Sequence, residues 1–194
     1  MPDPHALVFH NHHATHPRLL DAARTPLCIQ DALAPGLAAE AIEALRLLPA
    51  GPHCPEPPHQ TGLHWRCDAG LPSTPYLQSL PALVRLQRAV NTDIPALASR
   101  ALQTPLRAAR PDVLSLWQFN KGSWYQDSGG AHRYILELTG ARWPPEWGGH
   151  RRQGEQWVPI GWDTLTIIPE GEPLQVSLVR RHISAFFLYG ELSA

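Results

Sequence analysis

The sequence predicts a mainly β protein, a sandwich or jelly roll, with helices leading on its N-terminal side. One basis is composition: the 194 residues hold 21 Pro and 7 Trp against 17% charged residues, where an average domain carries about 25% charged. Pro interrupts helices, and Trp packs well on half-buried sheets. A second basis is the texture after Pro111, where short β-rich runs are parted by Gly, Pro and Asp turns. The length suits one domain, since domains usually run to roughly 100–200 residues.

Along the chain, the stretch to His16 carries His10, His12, His13 and His16 in a polar context and reads as a loosely packed terminus. A strand-like Pro26-Leu27-Cys28-Ile29-Gln30 follows. Leu37, Ala38, Ile42, Leu45 and Leu48 recur at helical spacing, which predicts an amphipathic helix over residues 36–48, ended by Pro49. Residues 49–75, rich in Pro and Gly, read as a long covering loop. Its His53, Cys54, His59, His64 and Cys67 match no paired zinc spacing. Leu77, Leu80, Leu83, Val84, Leu86 and Val90 predict a second helix, and Ile94 to Leu102 a third. Strand-like runs then occupy 113–119, 134–138, 156–158, 164–168, 174–179 and 182–188. The helical support and covering loop thus fill residues 1–112 and the β core 113–194, within one domain.

A net charge of -1 gives no basic field to gather nucleic acid or anionic membrane, so neither is an expected partner. No apolar run approaches the roughly 20 residues that span a bilayer. Met1-Pro2-Asp3-Pro4-His5 lacks the cationic head of an export signal, which gives a cytoplasmic expectation. The odd count of cysteines, Cys28, Cys54 and Cys67, predicts free thiols. No phosphate loop, nucleophile elbow, H-E-x-x-H helix or dinucleotide fingerprint is present. Ser128-Gly129-Gly130 reads as a hairpin turn, and Asp163 as a turn residue.

Four stretches, in order, carry a resemblance. They are Phe119-Asn120-Lys121-Gly122-Ser123-Trp124, Arg133-Tyr134-Ile135-Leu136-Glu137-Leu138-Thr139, Trp143-Pro144-Pro145-Glu146-Trp147-Gly148-Gly149, and Gln175 to Val179 followed by Arg180-Arg181-His182-Ile183-Ser184. Together they resemble the iron(II)- and 2-oxoglutarate-dependent oxygenases, in the prolyl-4-hydroxylase-like branch, and the W-x-P-E-W-G-G stretch is the specific one. The resemblance implies a double-stranded β-helix (jelly-roll, cupin-like) with N-terminal supporting helices. It also implies an iron held by two imidazoles and one carboxylate.

Matching Asp127 to the acid of the family's H-x-D places Tyr125 at the first histidine, whereas an ungapped match places Ser128 at the histidine and Gly130 at the acid. Matching Val176 and Val179 to H-x-V-x-x-V places Leu174 at the distal histidine, with Gln175 beside it. Neither match supplies an imidazole, so Asp127 is the only retained ligand type and no metal or other cofactor is expected at the usual place. The resemblance offers Tyr125, Asp127 and His132 as catalytic candidates and Trp117, Arg133 and Arg181 as binding candidates, with Arg180 an alternative to Arg181. Three readings follow. One is a member of the superfamily without the triad that binds a small molecule or peptide, as a metal-independent enzyme or binding protein. Another is an active hydroxylase using Fe(II) and 2-oxoglutarate with ligands from other positions, drawn from Asp127, His132, His150 and His182. The third is a silent protein partner of an active oxygenase; a homodimer is also open.

Overall fold

A computed structural model of the chain describes residues 26–46, 65–70, 80–111, 113–139, 143–182 and 185–194. The expectations for the N-terminal histidines, for Pro49 and most of the covering loop, and for the start of the second helix at Leu77 lie outside the described residues. In chain order the elements are β1 (Leu27–Gln30), α1 (Leu37–Arg46), β2 (Trp65–Gly70), α2 (Pro81–Arg88), a π-helical turn (Ala89–Asp93) and α3 (Ile94–Leu102). There follow β3 (Arg107–Ala108), β4 (Val113–Phe119), β5 (Tyr125–Gln126), β6 (His132–Leu138) and a 3-10 turn (Pro145–Trp147). The chain ends with β7 (Arg151–Gln153), β8 (Gln156–Val158), β9 (Trp162–Ile168), β10 (Gln175–Val176) and β11 (Ala185–Ser193).

The strands form two antiparallel sheets, a larger one ordered β1-β9-β6-β11-β4-β2 with β3 on β11, and a smaller one ordered β5-β10-β7-β8. Strand alternation divides the larger sheet's side chains between two layers. Tyr134, Leu136, Leu138, Leu165, Ile167 and Leu188 pack with Leu37 and Ala41 of α1, Leu83 and Leu86 of α2, and Ile94 and Ala98 of α3. From the opposite face Trp117, Ile135, Ile168, Phe187 and Tyr189 pack with Tyr125, Leu174, Val176 and Val179 of the smaller sheet and its flanks. The architecture is therefore helices, large sheet, small sheet, with the candidate site between the sheets.

Two helices expected apart run on through the π-helical turn. Pro95, at the start of α3, has no N–H to offer the carbonyl one turn back, and the ladder widens there. The covering-loop expectation is corrected at residues 65–70, which form β2 by pairing with β4 from Trp65↔Gln118 to Gly70↔Val113. Β-branched residues are absent from Trp65-Arg66-Cys67-Asp68-Ala69-Gly70, so only the partner strand reveals it. The strand expected over 174–179 shrinks to β10, because successive residues bond different neighbours: Ser177 N donates to His150 O and Val179 N to Ser123 O. The last strand is described from Ala185 and continues to Ser193, and the expectation for Ile183 and Ser184 lies outside the described residues.

The tryptophan-rich turn is built as its sequence requires. Trp143 Nε1 donates to Gly148 O at 2.8 Å, and the Trp143 and Trp147 rings meet edge to face at 5.4 Å. Gly148 has φ 75, and a Cβ there would fall 1.9 Å from Leu178 O, so the turn can close on the Leu178 segment only through glycine.

Asp163 is more than a turn residue. It is the extra residue of a bulge in β9, with Thr164 opposite Glu137 and Trp162 opposite Leu138, and its φ is 47. Its carbonyl accepts Ala32 N at 3.0 Å and its carboxyl accepts Leu33 N at 3.0 and 3.2 Å, which ties the β1–α1 connection to the sheet. Burial pushes this carboxyl up to about 6, against the lowering pull of the Leu33 N–H and with Asp31 adding to the rise. The folded carboxyl therefore keeps its proton where the unfolded one has lost it. Its contribution to stability is complete below the ordinary carboxylate range and disappears as pH rises through about 6. Asp163→Asn keeps an acceptor for Leu33 and tolerates the left-handed backbone. The variant is expected to melt a few degrees above the native chain at pH 7, with the gap closing toward pH 4 in thermal denaturation; an equal gap at both pH values contradicts this origin.

Candidate functional site

The site begins with the pairing of β5 and β10. Tyr125 stands opposite Val176 and Gln126 opposite Gln175, and Asp127 N donates to Leu174 O at 3.1 Å, so Tyr125, Asp127 and Leu174 come together. Of the two motif matches, the structure places the Tyr125–Asp127 pair beside Leu174. Gly130 instead lies in the loop to β6, where its carbonyl accepts Gly171 N at 2.9 Å.

The Asp127 carboxylate is surrounded by donors from its own chain. Oδ1 accepts Gly129 N at 3.0 Å and Leu174 N at 2.8 Å. Oδ2 accepts Tyr125 Oη at 3.0 Å and the Arg133 guanidinium, which forms a buried ion pair with it. A carboxylate offers about four lone-pair sites, and four donors meet this one. Gly129 is required for the approach: its φ is 93, and a Cβ would lie 2.4 Å from Gly171 O.

Arg133 reaches Asp127 because β6 alternates. Arg133, Ile135 and Glu137 leave the face toward the smaller sheet, while His132, Tyr134 and Leu136 leave the other. A second Arg133 nitrogen donates to Glu172 O, and Nε has no partner among the described residues. Four residues along β6, Glu137 makes a second buried bridge to the smaller sheet. Arg151 Nε donates to Glu137 Oε1 at 2.9 Å and Gly161 N to Oε2 at 2.7 Å. Burial raises the Glu137 pKa and outweighs the opposing pull of Arg151 and the Gly161 N–H.

Aromatic rings close the site. Trp117 stacks on Tyr189 at 4.3 Å and leans on Tyr125 at 4.7 Å, and its Nε1 is buried without a partner among the described residues. Burial, and then the Asp127 charge, raise the Tyr125 phenol well above its ordinary range, so Tyr125 remains a proton donor toward Asp127. Burial and then Glu191 do the same to Tyr189, whose Oη donates to Glu191 Oε1 at 3.3 Å.

Of the candidates named from sequence, Trp117, Tyr125, Asp127 and Arg133 meet here. His132 does not: it faces the other side of β6 and accepts Glu170 N through Nδ1 at 3.0 Å. Arg181 and Arg180 are exposed on the segment between Val179 and β11 rather than on a strand, so the guanidinium at Asp127 is Arg133's. His182 lies 3.3 Å from Lys121 Nζ. Sequence reading missed Glu137, Arg151, Tyr189 and Glu191; two charged residues, Arg133 and Glu137, four apart on a largely apolar strand were the available signal that β6 carries buried charge, though not of its partners. Among the described residues no group of three or more His, Cys, Asp or Glu is placed to hold a metal. A phenol held as donor, a fully engaged carboxylate and a leucine do not fit an iron that takes two imidazoles and a carboxylate. No helix among the described residues is long and apolar enough to cross a membrane.

No protein-family model matches the chain, and no curated protein sequence matches it. Solved structures do. A prolyl 4-hydroxylase from Phytophthora capsici is similar at a TM-score of 0.65 and 19% identity over 91% of this chain, which spans 62% of that protein. A prolyl-4-hydroxylase from Pseudomonas putida is similar at 0.55 and 17% identity, over 90% of this chain and 95% of that one. An oxidoreductase of the 2OG-Fe(II) oxygenase family from Burkholderia pseudomallei is similar at 0.58 and 14% identity, over 90% and 89%. With its two facing antiparallel sheets and helical backing layer, the chain has the double-stranded β-helix fold of the 2OG-Fe(II) oxygenases, as seen in the prolyl 4-hydroxylases.

Proposed function

We propose that this chain is a metal-independent binding protein on the oxygenase fold, in which the Arg133 guanidinium supplies the positive charge that iron supplies to the fold's carboxylate ligand. The saturation of Asp127 carries this reading. A metal could reach that carboxylate only by displacing a buried guanidinium, a phenol or a backbone N–H, each of which would then be left unpaired in the interior. Tyr125, kept protonated by burial and Asp127, is no phenolate ligand.

The same cluster supports a ligand class. Trp117 Nε1 and Arg133 Nε are both buried N–H donors without an acceptor among the described residues, and buried donors are rarely left so. A small molecule bearing a carboxylate or carbonyl oxygen complements them. Thermal denaturation with acetate, succinate and 2-oxoglutarate, each with and without chelator, tests this. The expected result is stabilisation by at least one of these carboxylates, unchanged by chelator and lost in Trp117→Phe, which keeps a ring and removes the donor. Stabilisation that chelator abolishes, or none at all, overturns it.

A further inference from the structure

Along one side of the described sheets, β1 ends the larger and the β7–β8 hairpin ends the smaller, and the two meet there. Contacts cross this seam: Gln153 Nε2 donates to Pro26 O at 3.1 Å, and a terminal nitrogen of Arg151 donates to Cys28 Sγ at 3.8 Å. Cys28 is a free and exposed thiol, whereas Arg151 is buried. In the β1–β9 pairing Cys28 stands directly opposite Thr166, so both side chains leave the same face of the sheet. Thr166 is fully buried, and its hydroxyl has no hydrogen-bond partner among the described residues. Such hydroxyls are scarce in folded proteins because an unmade bond in the interior is costly. Here the unmet hydroxyl belongs to the residue paired across the ladder with Cys28, whose accessible sulfur already receives a guanidinium N–H. None of these three groups takes part in the Asp127 cluster.

The geometry points to Cys28 as a hydroperoxide-reactive thiol, with the Thr166 hydroxyl and the Arg151 guanidinium holding the two oxygens of the peroxide. Sulfur attacks one oxygen as its anion. An S–O bond forms and the O–O bond breaks, sulfur is oxidised to the sulfenic acid, and the peroxide is reduced to water or an alcohol, which takes up the proton the thiol gave up. The guanidinium, whose Nε is held by Glu137, turns a terminal N–H toward the sulfur, and that N–H donates to the departing oxygen. Thr166 supplies the donor that orients the bound peroxide. The exposed Cys28 sulfur admits the reagent, and the buried Arg151 and Thr166 supply polarity that the surface alone would not.

Treatment of the whole protein with hydrogen peroxide, with dimedone as the trap for sulfenic acid and peptide mass spectrometry as the readout, tests this assignment. The expected result is a dimedone adduct on Cys28 whose rate of formation falls about tenfold in Thr166→Val, the size of one transition-state hydrogen bond. Valine has the shape of threonine and removes only an unmet hydroxyl, so this variant folds, which its melting curve verifies. Arg151→Lys, which keeps the charge and loses the planar fork, is expected to slow trapping as well. Absence of the Cys28 adduct in the native chain, or equal rates in the native chain and Thr166→Val, overturns the proposal.

Discussion

Replacing Arg133 by methionine is expected to destabilise the folded chain by about 3–5 kcal/mol, the usual cost of removing one partner from a buried ion pair. The side chains of Arg133 and Asp127 are only 3% and 11% exposed, so water replaces little of the lost guanidinium. Methionine nearly matches the aliphatic stem, which confines the loss to charge and hydrogen bonds. Asp127→Leu gives no relief when added to Arg133→Met, because Gly129 N and Leu174 N then lose the acceptor that holds the β5–β6 loop against β10. Chemical denaturation of the two variants decides the matter. A loss under about 1 kcal/mol for Arg133→Met would mean that the guanidinium is not the group that balances Asp127.

Arg151→Met is expected to cost a similar 3–5 kcal/mol, since it strands Glu137 at the centre of the molecule. The two side chains are 2% and 1% exposed. The rescue differs from the first pair in an informative way. Adding Glu137→Gln removes the stranded charge while its amide oxygen still accepts Gly161 N, so the double variant is expected to recover to within about 1–2 kcal/mol of the native chain. If Arg151→Met alone is as stable as the double variant, Glu137 is not held as a charged partner.

These bridges also mark the limit of what sequence reveals. Helical spacing at Leu83, Leu86 and Val90, and the apolar runs that become β4, β6 and β9, report local burial, and burial follows from periodicity within one element. The adjacency of Tyr125, Asp127 and Leu174 is legible because two short motifs, matched independently, converge on neighbouring strands. Which guanidinium meets Asp127 is not legible. Arg133, Arg180 and Arg181 are equivalent in composition, and only the alternation of β6 and the bend after Val179 separate the buried one from the exposed ones. β2 escapes for a related reason: Trp65 to Gly70 has the composition of a loop and becomes a strand through its partner β4. The Glu137–Arg151 bridge joins two sheets, and no pattern within either strand specifies its partner.

The central claim is that the chain's own donors saturate the carboxylate through which this fold would hold its metal. Anaerobic titration with Fe(II), followed by 2-oxoglutarate and oxygen with succinate as the readout, tests it most directly. No stoichiometric iron and no succinate are the results expected of Tyr125, Asp127 and Leu174 locked by Arg133. One iron per chain together with succinate would contradict the account.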